Sequence, residues 1–202
     1  MHSSLTRGAL LTLILGLLAG CGSPASSVQP TIPGRPALPD GWAEVASDAG
    51  DVRLGLPADF DTISAEPGIM AQEPAPNGQT PQLEVLAAGP ADVDPQPRGG
   101  QQLRTWLEES WWVPASGDGG VTETGDATQR EVLLPSGPAL EVAITAQPGT
   151  ADESRVVVYA IASEGGIAII RFVGSPARMD ARMDELLLIA LLAEFGDLTD
   201  PS

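Results

Sequence analysis

The 202-residue chain has no lysine, a single histidine at His2 and a single cysteine at Cys21. Each scarcity removes a chemistry. A Schiff-base lysine is ruled out, and a histidine at position 2, ahead of an apolar leader, is no use to a Ser-His-Asp triad or a Cys-His nucleophile in the body of the chain. The usual His/Cys zinc sites lack ligands for the same reason. No Walker A loop and no glycine fingerprint for dinucleotides follows a strand, so no cofactor is implied. Basic residues are also few: 10 arginines face 27 acidic residues, for a formal net charge of −17. Such a surface repels nucleic acid and anionic lipid head groups, and no nucleic-acid partner is expected. One cysteine makes no disulfide within the chain, so stability has to come from packing.

What is present begins with an address. Met1 to Arg7 carries the amino terminus and one arginine, and Ala9 to Leu18 is an apolar run of signal-peptide length. A bilayer span needs about 20 residues, more than this run supplies. Ala19 and Gly20 then lead into Cys21. The tetrad Leu18-Ala19-Gly20-Cys21 resembles the lipobox of bacterial lipoproteins. In that family the cysteine thiol takes a diacylglycerol and becomes the mature amino terminus, with palmitate among its usual acyl chains. The resemblance implies removal of residues 1–20, lipidation of Cys21 and a membrane partner held through that lipid, outside the cytoplasm. Two or more acyl chains, at about 0.8 kcal/mol per buried methylene, make such an anchor stable where one chain would not.

Residues 21–40 are rich in Ser and Pro without apolar periodicity and read as a tether, with a reach of about 25 Å for a flexible chain of that length. A single globular domain is expected over residues 41–196, followed by a tail at 197–202. Trp42–Val45 and Val52–Leu56 alternate around the turn-forming Asp48-Ala49-Gly50-Asp51 and predict a hairpin, stopped by Pro57 and covered by Phe60. The prolines between residues 67 and 97 leave room for short strands only, at Ile69–Gln72 and Leu83–Ala87. Over Gly99–Trp112 the period changes: Leu103, Trp106, Leu107, Ser110 and Trp111 share one face of a helix.

Four strands follow, at Gln129–Leu134, Ala139–Thr145, Arg155–Ala162 and Ile167–Val173, the last pair joined by Ser163-Glu164-Gly165-Gly166. Val157, Tyr159 and Ile161 alternate with Val156, Val158 and Ala160. A strand apolar on both faces belongs in the middle of a sheet covered on both sides. Ser175 and Pro176 open a helix that Gly196 is placed to end, spanning about 176–195. Its expected core stripe is Met179, Met183, Leu187 and Leu191, widened by Leu186, Ala190 and Phe195, so that Leu187→Asp should unfold the domain.

Trp42, the strand end Leu56-Pro57-Ala58-Asp59-Phe60, the Arg155–Val173 hairpin and the Ser175–Phe195 helix together resemble the PsbP-like fold and lipid-anchored actinobacterial relatives of the LpqN type. The resemblance implies an α+β fold, an antiparallel sheet flanked by helices in an α/β/α sandwich. It transfers no functional residue, because architecture alone does not fix function.

Candidate sites are sparse. Asp59 with Asp61, and Asp92 with Asp94, have the spacing of oxygen ligands or a paired acid and base, but the full calcium-loop pattern is missing and solvated turns are the plainer reading, so no metal site is assigned. Trp111 and Trp112, beside Glu108 and Glu109, point about 100° apart on a helix, so both cannot be core and one is a candidate ligand or partner contact. Arg171 interrupts an apolar strand and is a candidate for an anionic ligand; the plainer reading is a side chain that reaches the sheet rim or pairs with a carboxylate. The functional expectation is a non-enzymatic envelope lipoprotein that binds a protein partner. The alternatives are a carrier of a small apolar or lipidic ligand in a pocket lined by Met179 and Met183, and a hydrolase built on carboxylates alone.

Overall fold

The computed structural model describes residues 32–64, 68–74, 83–91, 100–107, 127–146, 148–149, 151, 153–163 and 165–198. Within them the expected α+β architecture is present. Seven strands form one antiparallel sheet and three form a smaller one. The small sheet comprises β1 (Trp42–Ala46), β2 (Val52–Pro57) and β10 (Glu194–Phe195), in the order β1-β2-β10. The large one comprises β3 (Asp61–Ser64), β4 (Ile69–Gln72), β5 (Leu83–Ala91), β6 (Thr128–Leu134), β7 (Gly137–Ala146), β8 (Ser154–Ser163) and β9 (Gly166–Gly174). Its spatial order is β3-β4-β5-β9-β8-β7-β6. The helices are α1 (Gly100–Trp106), α2 (Pro176–Ala181) and α3 (Met183–Leu192).

β8 lies between β9 and β7, as its two apolar faces require. Val157, Tyr159 and Ile161 join one core with Leu54 and Leu56 of β2, Met179 of α2 and Ile189 of α3. Val156, Val158 and Ala160 join a second core with Leu103 and Leu107 at α1. The sheet is thus covered by α2, α3 and the small sheet on one side and by α1 on the other. Gly55 belongs to this packing: a β-carbon there would come within 2.7 Å of both Leu192 and Leu38. At the β6–β7 turn Gly137 has φ +141, a conformation open to glycine, and a β-carbon would meet the Ala162 carbonyl oxygen at 2.3 Å.

Two expectations need correction. The last helix is broken: α2 ends at Ala181, Arg182 stands at φ −118 and ψ 15, and α3 stops at Leu192. Ala193 is extended, and Glu194 and Phe195 pair with Arg53 and Val52 of β2, so Phe195 is in a strand and Gly196 follows that strand. The predicted stripe also needs correcting at two positions, Met183 and Leu187, while Leu191 packs half-buried against the core. Met183 and Leu187 are each 41% exposed, whereas Leu186, Ile189, Ala190 and Leu192 are buried. Positions four apart rotate by about 40° at each step, so a row at that spacing cannot stay on one face, and Met183 and Leu187 fall outside the core face that Leu191 reaches. The buried row is Met179, Arg182, Leu186 and Ile189, disguised by the arginine in its middle. Leu187→Asp should therefore leave the domain folded. Asp61–Ser64, which no sequence pattern marks, forms an edge strand whose Ile63 is 43% exposed.

In the stretch read as a tether, Arg35 donates from Nε to the Leu192 carbonyl at 3.0 Å and pairs with Glu44 and Glu194. Residues 35–38 are thereby fastened along β2 and the end of α3. The expected carboxy-terminal half of the first helix, residues 108–112, lies outside the described residues.

Candidate functional site

Strand register assembles one polar row that no local motif announces. Arg130 on β6 stands opposite Glu141 on β7, which stands opposite Tyr159 on β8. All three project from the sheet face that carries α2 and α3. Arg130 donates to both Glu141 oxygens, from Nε and Nη2, each at 2.7 Å, the bidentate geometry that makes such pairs strong. Tyr159 is buried, and Phe172 meets it edge-on with ring centroids 6.1 Å apart. Burial, and then the hydrogen bond to the Glu141 carboxylate, hold the Tyr159 phenol well above its ordinary pKa, so it is a neutral hydroxyl at every physiological pH. The same carboxylate raises the Arg130 guanidinium pKa further.

This row floors a groove of about 330 Å³ whose walls include Thr128, Ala143, Arg155, Val157 and Met183. Arg155 is held to Asp180 of α2. Of the two exposed apolar side chains of α3, Met183 and Leu187, the first lines the groove. The groove therefore offers a hydroxyl, a paired cation and an apolar rim, which is the chemistry of binding. A wider, open hollow of about 1010 Å³ lies between the β1–β2 turn, Pro90, Gly165 and residues 195–198.

A second polar cluster is built into the break between α2 and α3. The Arg182 guanidinium, 7% exposed, reaches Glu73, equally buried, and also Asp59 at 2.9 Å and Glu185. Arg178 donates from Nε to the other Glu73 oxygen at 2.8 Å, and Arg182 lies 4.8 Å from the centre of the Phe60 ring. Burial alone would raise the Glu73 carboxyl, but Arg178 and Arg182 overcome it and hold the group below its ordinary pKa. The hydrogen bond from Arg182 does the same for Asp59. For Arg182 itself burial opposes the charge, and Asp59, Glu73 and Glu185 more than offset it, leaving the pKa raised. Every member of this cluster has a partner, so it fastens three chain segments together and leaves nothing to offer a ligand.

Of the residues singled out from sequence, Arg171 lies on β9, on the α1 side of the sheet, half-buried. Asp59 is taken up by Arg182, and Asp61 is exposed on β3. The two are not brought together as ligands. Among the described residues no group of three or more His, Cys, Asp or Glu side chains is placed to hold a metal. Cys21, Asp92, Asp94, Trp111 and Trp112 lie outside the described residues.

The Arg130–Glu141 pair was legible in principle, since the tight turn at Pro135-Ser136 fixes which residues of β6 and β7 face each other. The Glu73–Arg182 contact, 109 residues apart in sequence, carried no such signal.

The class defined by these observations is an antiparallel sheet with helices on both faces. Solved structures similar to it include the following three. LpqN, involved in cell envelope biogenesis of Mycobacterium tuberculosis, is 13% identical, with a TM-score of 0.47 over 76% of this chain and 89% of that one. A protein of Bacteroides thetaiotaomicron VPI-5482 is 11% identical, with a TM-score of 0.48 over 80% of this chain and 51% of that one. Cyanobacterial PsbP (CyanoP) from Synechocystis sp. PCC 6803 is 10% identical, with a TM-score of 0.47 over 89% of this chain and 99% of that one. No protein-family model matches the sequence, and no curated protein matches it.

Proposed function

We propose that the chain is a lipid-anchored protein of the bacterial cell envelope whose folded domain acts by binding a protein partner and catalyses nothing. The observation that carries this reading is Leu18-Ala19-Gly20-Cys21 at the end of an apolar run too short to span a bilayer. The sequence supports the non-catalytic half: no lysine, and no histidine or cysteine beyond Cys21. The groove supports the binding half, since it joins a buried hydroxyl and a held guanidinium to an exposed apolar rim.

The competing carrier of an apolar ligand between last helix and sheet needs space at Met179. That side chain is fully buried in the core, and of the two expected lining methionines only Met183 faces the groove. The carboxylate hydrolase needs two acids converging in a cleft; Glu141 is the groove's one carboxylate among its lining residues.

The reading is tested by comparing the native chain with Cys21→Ser in a bacterial host, by fractionation and by mass spectrometry of the intact protein. The native chain is expected in the membrane fraction with the mass of a diacylglycerol and a fatty acyl group on Cys21, and the variant is expected unprocessed and unacylated. A native chain lacking the added mass would sink the anchor. Native mass spectrometry of the anchored chain, released in a mild detergent, is expected to show a stoichiometric protein partner.

A further inference from the structure

The α1 face of the large sheet holds a cation that no described residue answers. Arg35, Arg53, Arg130, Arg155, Arg178 and Arg182 each hold at least one carboxylate, as expected where acidic residues number 27 against 10 basic. Arg171 is different. No ion pair joins it to any described residue, and its Nε is shut off from solvent without a hydrogen-bond partner.

Its described surroundings are mostly aliphatic. Leu86 of β5 stands directly opposite on one side, Val158 of β8 on the other, and Ile169 and Val173 flank it on its own strand. Val158 and Ile169 are buried, whereas Leu86 and Val173 are half-exposed. The one acid near it in register is Glu84, a diagonal neighbour opposite Val173, and it makes no bond to Arg171 among the described contacts. A guanidinium half-withdrawn from water among aliphatic side chains carries a desolvation cost that a bound anion would offset. Its planar fork suits the two oxygens of a carboxylate or phosphate.

We propose that Arg171 anchors a site on the α1 face for a small amphiphile, a carboxylate or phosphate group carried on an apolar tail, with the anion on the guanidinium and the tail against Leu86 and Val173. The site stands whether or not Cys21 is acylated, and it lies on the opposite face of the sheet from the groove.

The test uses the full chain in an uncharged detergent, with the arginine Nε positions labelled for NMR, titrated with dodecanoate, dodecyl phosphate and dodecanol. Both anions are expected to shift the Arg171 Nε–H resonance and raise the melting temperature, and dodecanol neither. A response to only one of the two anions assigns the head group. Acetate and inorganic phosphate are expected to bind at least about tenfold more weakly than their long-chain counterparts. Arg171→Met is expected to fold, to melt no lower than the native chain because an unanswered cation is gone, and to lose about tenfold or more in affinity for the anions. Arg171→Lys, which keeps the charge without the fork, is the second variant should Arg171→Met fail to fold, and it is expected to bind more weakly than the native chain. The proposal is overturned if neither anion moves the resonance, if dodecanol reproduces the response, or if the variant that folds binds the anions as tightly as the native chain.

Discussion

Arg182 sits at a position where helical spacing calls for an apolar side chain, and its neighbours make that tolerable. Glu73, as buried as the arginine, is the partner that matters most. Glu73→Gln leaves a buried guanidinium short of its main counter-charge and should cost about 3–5 kcal/mol, read from urea unfolding. The double change Glu73→Gln with Arg182→Met removes both charges together and should recover most of that loss, because a buried pair adds little over a well-packed apolar substitute. Asp59, 57% exposed, is screened by water, so Asp59→Asn should cost at most about 1 kcal/mol. The pH dependence has a fixed sign. The Glu73 and Asp59 pKa values are lower in the folded chain than their ordinary values, so their stabilisation is fully present above the ordinary carboxylate range. It is lost as the pH falls through the lowered values, and urea midpoints measured from pH 7 downward should drop there. Glu73→Gln should flatten that drop.

At the scale of the element, the C-terminal helix shows how one residue redirects a segment. Ser175 caps α2, accepting from the Arg178 N–H, and Pro176 fits the first turn. The break at Arg182 lets its guanidinium reach Glu73 while α3 continues with Leu186 and Ile189 on the core. Two substitutions separate the observed face from the one helical spacing first indicates. Ile189→Ala should cost about 2–5 kcal/mol, since a fully buried side chain leaves a cavity. Leu187→Ala, on the exposed side, should move the melting temperature by no more than a few degrees. The β3 strand illustrates the reverse case. Asp61, Thr62 and Ile63 are all exposed, so the stretch shows no pattern, and the strand exists because β4 supplies a hydrogen-bonding edge.

Over the whole molecule, stability should be graded from the centre of the large sheet outward. β8 and β9 are paired on both sides and packed on both faces, whereas β6 and β3 are edges. Native-state hydrogen exchange should therefore find the slowest amides at Val156–Ile161 and Ile167–Phe172, and much faster exchange at the outer side of Thr128–Glu131. Equal protection along β6 and β8 would contradict this layering. The two faces also divide the candidate chemistry, with the Arg130–Glu141–Tyr159 groove on the α3 side and Arg171 on the α1 side.

Sequence alone was enough for whatever depends on short-range pattern. The four strands from β6 to β9, the Trp42–Pro57 hairpin and the capped start of α2 follow from alternation, turn residues and capping, which act over a few neighbours. So does the central place of β8, because a strand apolar on both faces has no stable position at an edge. Tertiary structure decided the rest. It buried Arg182 against a carboxylate from another part of the chain and turned Met183 and Leu187 outward. It drew Glu194 and Phe195 into pairing with β2, and left Arg171 without a counter-ion among the described residues. The physical reason is common to all of these: a charge or an exposed apolar side chain is settled by what lies across the fold, and nothing in its immediate neighbours records that.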